Sequence, residues 1–171
     1  MLRDADSLLD VGAGVGVLTF ELLARGVGRA TLVDAAPAYL SAAESEAARR
    51  KVQGRVQFVR GDVVELAGDV DPVDLVAMHR VVCCYPDWAA LLTTATQLSR
   101  RLLAFSYPRD RWFVRLWLWI QNARRRISGH PFRSFVHPAT AMERRVETAG
   151  FERISRRRTA VWCVDVYARS S

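Results

Sequence analysis

Lysine is almost missing from this chain: of its 25 basic residues only Lys51 is not arginine. With abundant Ala and Val, that bias fits codon drift in a GC-rich genome, so the net charge of +7 is weak evidence for a basic function. Cysteine is scarce as well. Cys83, Cys84 and Cys163 are odd in number, two of them are adjacent, and none has metal-ligand spacing, so neither a disulfide framework nor a metal site is expected. They read as small buried residues. No apolar run reaches the ~18–20 residues of a membrane span, and the first residues lack the basic and apolar regions of a signal peptide. A cytoplasmic location is the expectation. Internal repeats, low-complexity stretches and linkers are missing too, and 171 residues suffice for one well-packed domain, 1–171, but not for two.

Charge is unevenly placed. Residues 1–99 carry 9 basic and 13 acidic side chains, whereas residues 100–171 carry 16 and 5. The C-terminal part therefore either meets an anionic partner or presents a solvated basic face.

Short apolar runs alternate with helix-length segments: residues 8–11, 30–34, 56–59, 75–78 and 102–107. Runs apolar on both faces suit parallel strands sandwiched between helices. Helices are expected from about Val15 to Arg25 before Gly26, from Pro37 to about Arg50, from Trp88 to about Arg100, from Trp112 to Ile127, and from Pro138 to Gly150. Two closing strands follow, over residues 152–158 and 161–169. The class is α/β.

Where the first strand turns into the first helix stands Asp10-Val11-Gly12-Ala13-Gly14-Val15-Gly16. Glycines at such a turn let the chain bend sharply and let a nucleotide-like ligand approach the free N–H groups of the helix start. The dinucleotide fingerprint needs its third glycine where Val17 stands, which argues against a nicotinamide-dependent oxidoreductase. Asp34 ends the second strand, where a carboxylate can accept both hydroxyls of a ribose, and Gly61-Asp62 follows the third strand, where a carboxylate can accept from an exocyclic amine. Three strand ends thereby line one crevice.

With these residues the chain resembles the class I S-adenosylmethionine-dependent methyltransferases over essentially its whole length. The resemblance implies a Rossmann-like seven-stranded mixed sheet of order 3-2-1-4-5-7-6 with strand 7 antiparallel and helices on both faces. It also implies S-adenosylmethionine as cofactor, met by Asp10, Gly12, Ala13, Gly14 and Gly16 at the methionine part, by Asp34 with Ala35 at the ribose, and by Asp62 with Val63 at the adenine. Residues 74–88 look like those of a bacterial subgroup likened to magnesium-protoporphyrin O-methyltransferases. Family members usually carry one or two helices before the first strand. Only about six residues precede Ser7 here, so those helices are expected to be shortened or absent and the site to be open.

After the fourth strand stands His79-Arg80-Val81-Val82 instead of the Asn/Asp-Pro-Pro-Tyr tetrad of base-amine methyltransferases, and no Cys follows a Pro as cytosine C5 chemistry commonly needs. Nucleic acid is thus not the expected partner. His79 faces the crevice by topology and is a candidate general base and cofactor contact, with a packing role as its alternative. His137 is a second candidate base or a helix cap, and Tyr85 is a candidate acceptor contact.

Residues 108–137 are the expected acceptor cap. Over 112–127, Trp112, Leu116, Ile120, Ala123 and Ile127 share one helical face, with Phe113 and Trp119 on its margins and Arg115, Asn122 and Arg125 opposite, and the triplet Arg124-Arg125-Arg126 lies near its end. This helix is a core element, a lid touching the acceptor through Trp112 and Trp119, or a membrane-surface helix giving peripheral membrane contact. The sequence therefore leads to O-methylation of a carboxylate or hydroxyl on a small, flat, partly apolar, aromatic and anionic acceptor. Its alternatives are a methyltransferase-fold cofactor-binding protein without turnover and the oxidoreductase.

Overall fold

The computed structural model describes residues 5–170. The start of the chain, on which the expectation of no leader partly rests, lies in residues 1–4, outside the described residues.

Seven strands form one sheet: β1 (Ser7–Val11), β2 (Arg29–Asp34), β3 (Val56–Arg60), β4 (Val73–Met78), β5 (Ser99–Pro108), β6 (Phe151–Arg158) and β7 (Trp162–Arg169). Their spatial order is 3-2-1-4-5-7-6. The first five are mutually parallel, and β7 runs antiparallel to both β5 and β6. Five helices connect them: α1 (Val17–Ala24), α2 (Pro37–Arg49), α3 (Trp88–Leu98), α4 (Trp112–Ile127) and α5 (Ala139–Thr148).

Successive strand residues point to opposite faces of a sheet, and this alternation builds two cores. Leu9, Val76, Leu103 and Phe105 pack with Leu91, Leu92, Met142 and Val146 of α3 and α5. Leu8, Leu32, Leu75 and Leu102 pack on the other face with Phe20 and Leu23 of α1 and with Leu40, Ala43 and Ala47 of α2. Since both faces are covered, every residue of β1 is buried.

Local chemistry sets the element ends. Pro37 opens α2 with its ring already at a helical φ. The Asp87 side chain accepts from the Ala90 N–H at 3.0 Å and starts α3. That helix stops at Leu98 rather than near Arg100, because Ser99 already pairs with Val73 and begins β5. The sheet side of residue 99 decides this, and propensity does not.

The β5–β7–β6 end is pinned by buried charge. Asp165, 1% exposed, accepts Nε and Nη2 of Arg156, each at 2.7 Å, and the Tyr107 hydroxyl at 2.9 Å. Arg156 also reaches Glu143 of α5, which pairs with Arg153. The low-dielectric setting makes this bidentate pair costly to break.

One helix stands apart from both cores. Of α4 only Val114 and Leu118 are buried, and neither belongs to a core cluster. The expected apolar face of residues 112, 116, 120, 123 and 127 points away from the body, and of the expected polar side Asn122 and Arg125 turn inward while Arg115 stays exposed and pairs with Asp110. Asn122 exchanges two hydrogen bonds with the Ser134 backbone, at 2.7 and 3.0 Å, and Arg125 donates to the Ser134 hydroxyl at 3.1 Å. A core role for the whole helix is therefore corrected: its inward side is held by two buried apolar residues, Val114 and Leu118, and by polar bonds to a strap, residues 128–138, while the wide apolar face stays outside both cores.

Candidate active site

At the carboxyl ends of the parallel strands the first loop is wound tightly. Gly12, Gly14 and Gly16 all have φ between 57° and 78°, a left-handed conformation that glycine alone adopts readily. At Gly12 the reason is also space, because a Cβ would meet Cγ2 of Val81 at 2.5 Å. The Gly12 N–H donates to the Val33 carbonyl at 2.8 Å and joins the loop to the end of β2.

Asp34 organises the same corner. Its Oδ2 accepts from the Gly14 N–H and its Oδ1 from the Ala36 N–H, both at 2.8 Å. One carboxylate thereby fixes two loops, and each oxygen keeps a further lone pair with which to accept. Asp62 is held comparably. Its Oδ1 accepts from the Val64 N–H at 2.9 Å and its Oδ2 from the Tyr85 hydroxyl at 2.8 Å. Desolvation and the Asp62 charge push the Tyr85 phenol up to about 12, so at neutral pH it is a donor that orients Asp62 and not a base.

Around these groups lies a cavity of about 510 Å³ lined by, among others, Gly12, Gly14, Asp34, Ala35, Asp62, Val63 and Tyr85. All seven were expected from the sequence. The remaining expected cofactor residues sit differently. Asp10 does not line the cavity; it is enclosed beneath the loop, where its Oδ2 accepts from the Thr19 hydroxyl of α1 at 2.7 Å, and burial raises its carboxyl to about 7. Gly16 is buried at the start of α1, where a Cβ would meet the Phe20 ring at 2.8 Å. Ala13 and Gly16 shape the turn without lining the cavity.

Apart from Tyr85, the expected catalytic and acceptor groups are not gathered there. His79 follows β4 but is exposed and outside the cavity lining, its imidazole held below the ordinary value by partial desolvation and the Arg80 charge. His137 is buried, donates from Nε2 to the Tyr85 carbonyl at 3.0 Å and stacks on Phe135. Burial lowers its pKa, and its geometry is that of a clamp on the loop carrying Tyr85. Trp112 and Trp119 lie on the solvent face of α4. The aromatic ring that reaches the cavity from the 108–137 segment is Phe132, brought there by the strap, with the Arg125 guanidinium 4.7 Å from its centroid. Neither the lid nor its tryptophans could be placed by helical periodicity alone, since this contact depends on the bonds of Ser134 to α4 and of Phe135 N–H to the Cys83 carbonyl.

Arg80, Cys84 and Tyr39 also line the cavity and were not anticipated. Arg80 has φ 60°, unusual for a side chain with a Cβ, and its N–H donates to the Ser106 hydroxyl at 2.8 Å. Its guanidinium lies 4.9 Å over the Trp162 ring. Next to Trp162, Cys163 borders a second cavity of about 340 Å³, which Arg109, Arg111, Arg156 and Arg158 line with Asp110 and Tyr107. Asp110 is paired with Arg115 and Arg156 with Asp165, while among the described residues Arg111 and Arg158 have no carboxylate partner. Arg80 itself lines the first cavity only: Trp162 and Cys163 are consecutive in β7, so their side chains leave opposite faces of the sheet.

Residues 8–102 match the family described as a methyltransferase domain, which is more than half of the chain. The chain belongs to that family. As a class I S-adenosylmethionine-dependent methyltransferase domain it is 33% identical over 90 residues to a ribosomal protein L11 methyltransferase of Pelotomaculum thermopropionicum, a match over 52% of this chain and 29% of that protein. Among solved structures, magnesium protoporphyrin IX methyltransferase from Synechocystis PCC 6803 with bound S-adenosylhomocysteine aligns over 99% of this chain and 76% of its own, at 19% identity and a TM-score of 0.79. An O-methyltransferase family protein from Burkholderia thailandensis aligns over 99% of this chain and 52% of its own, at 18% identity and a TM-score of 0.80. These structural likenesses establish the fold of the methyltransferase domain.

The family's cofactor fits the residues present. A cavity of about 510 Å³ accommodates a nucleoside-sized ligand, two preset carboxylates suit a ribose diol and an amine, and Ala35 and Val63 supply apolar wall. Bound there, S-adenosylmethionine supplies an electrophilic methyl group on a sulfonium.

Proposed function

We propose that this methyltransferase domain transfers the methyl group to an oxygen of a small, flat, partly apolar acid, with a carboxylate as the accepting group. The carrying observation is Arg80, a cation that lines the cofactor cavity with its guanidinium held 4.9 Å over the Trp162 ring. A carboxylate is already ionised at neutral pH and needs no base. That suits a cavity in which no histidine takes part in the lining, Asp34 and Asp62 are engaged by backbone and phenol donors, and Tyr85 stays protonated. The chain's work is then to hold acceptor and methyl group in line at near-attack distance, with Asp34 and Asp62 positioning the cofactor and Arg80 the acid. Gly12, Gly14, Ala35 and Val63 complete the proposed cofactor contacts.

The test is a methyl-transfer assay with labelled S-adenosylmethionine on paired aromatic carboxylic acids and phenols. Preferential labelling of the acids, with Arg80→Gln raising the acceptor KM and sparing cofactor affinity, is the expected result. Labelling of phenols alone would overturn the carboxylate assignment, and tight cofactor binding with no transfer to any acceptor would favour a binding protein without turnover.

A further inference from the structure

We infer that α4 is a docking helix for an anionic lipid surface. Around its axis Trp119, Trp112, Ala123, Leu116, Ile127, Ile120 and Phe113 follow one another through an arc of roughly 120° that holds no polar side chain. This arc faces away from the protein: Trp112, Trp119 and Ile127 are 77%, 67% and 88% exposed. Arginines border it on both sides, with Arg126 on one margin, next to Arg115 whose charge is met by Asp110, and Arg124 on the other, and the helix has no acidic residue.

A bilayer surface meets both demands at once. The aromatic face sinks into the boundary of headgroup and acyl chain, and the flanking guanidiniums stay level with lipid phosphates, their apolar stems lying along the surface. The helix lies on the membrane and does not cross it, since at sixteen residues it is shorter than the ~20 that a span needs. Val114, Leu118 and the bonds of Asn122 and Arg125 to Ser134 fix the inner side to the body, so the face is presented in a set orientation. A second copy is a poor occupant, because pairing two such faces brings the arginines of both helices together without a helix carboxylate to offset them. The inference stands apart from the methyltransferase reading and is measured without cofactor.

Flotation of the protein with vesicles of phosphatidylcholine alone, and of phosphatidylcholine with phosphatidylglycerol, tests it. Binding to the anionic vesicles only, weakened by salt and accompanied by a blue shift of tryptophan emission, is expected. The double variant Trp112→Gln/Trp119→Gln should lose at least tenfold in vesicle affinity, and Arg124→Gln/Arg126→Gln about 30-fold, with circular dichroism unchanged. If the tryptophan variant does not fold, Ile127→Gln at the helix end replaces it. Failure of the folded protein to bind anionic vesicles, equal binding to neutral ones, or undiminished binding by the variants would overturn the inference. So would a dimer on gel filtration that the tryptophan variant dissociates.

Discussion

Asp34 is the residue on which the cofactor corner turns, since one carboxylate orders the Gly14 and Ala36 N–H groups and still faces the crevice. Asp34→Ala removes charge-assisted bonds worth about 1.5–3 kcal/mol, so cofactor affinity measured by calorimetry should fall roughly 10- to 150-fold. Asp10 behaves differently because it is enclosed. Its carboxyl rises from 3.8 to about 7 through burial, which outweighs the Thr19 hydrogen bond. An acid whose pKa is raised by folding contributes most below its unfolded value, and that contribution is lost as pH rises through the folded one. Stability should therefore decline between pH 3.8 and about 7, by on the order of 4 kcal/mol at 1.36 per unit, and level off above. Asp10→Asn should flatten that stretch in denaturant titrations at several pH values, and a wild-type slope in the variant would assign it to other groups.

At the scale of elements, the first loop and α4 make opposite demands. The loop has no slack: at Gly12 an alanine combines φ 63° with a 2.5 Å approach to Val81. Left-handed strain of about 1–3 kcal/mol adds to the overpacking, so Gly12→Ala should lower the melting temperature and weaken cofactor binding together. On α4 the effects separate. A tryptophan on the solvent side is not packed, so Trp119→Ala should change stability by no more than about 0.5 kcal/mol, against ~3–5 for a tryptophan in a core. Thermal unfolding distinguishes the two.

In the molecule as a whole, one side of the sheet ends in β6, joined to β5 through the antiparallel β7, and the ion network of Asp165, Arg156 and Glu143 ties this end to α5. Truncating one partner strands the other in a low-dielectric site. Asp165→Ala should thus cost about 3–5 kcal/mol in denaturant titration, while replacing Asp165 and Arg156 together by apolar residues should cost much less. A double change that costs the sum of the two single ones would show that the pair is not coupled.

The parallel strands, the glycine turn and the acids after strands two and three were legible in the sequence, because burial on both faces leaves continuous apolar runs and a tight nucleotide turn needs glycine at fixed steps; the sheet order came from the family resemblance. The boundaries of α4 were legible for the same local reason. Which way that helix faces was not, since periodicity gives an apolar stripe but not what lies against it, and here Val114, Leu118 and the bonds to Ser134 set the narrower side inward. Nor could local pattern separate His79 from Arg80: one residue of strand exit, with Arg80 at φ 60° and bonded to Ser106 of β5, decides which side chain meets the cavity. The exposure of Trp112 and Trp119 follows from the way α4 faces, and the burial of His137 from the 128–138 strap, whose bonds to the loop carrying Cys83 and Tyr85 link residues far apart in sequence that only the tertiary structure brings together.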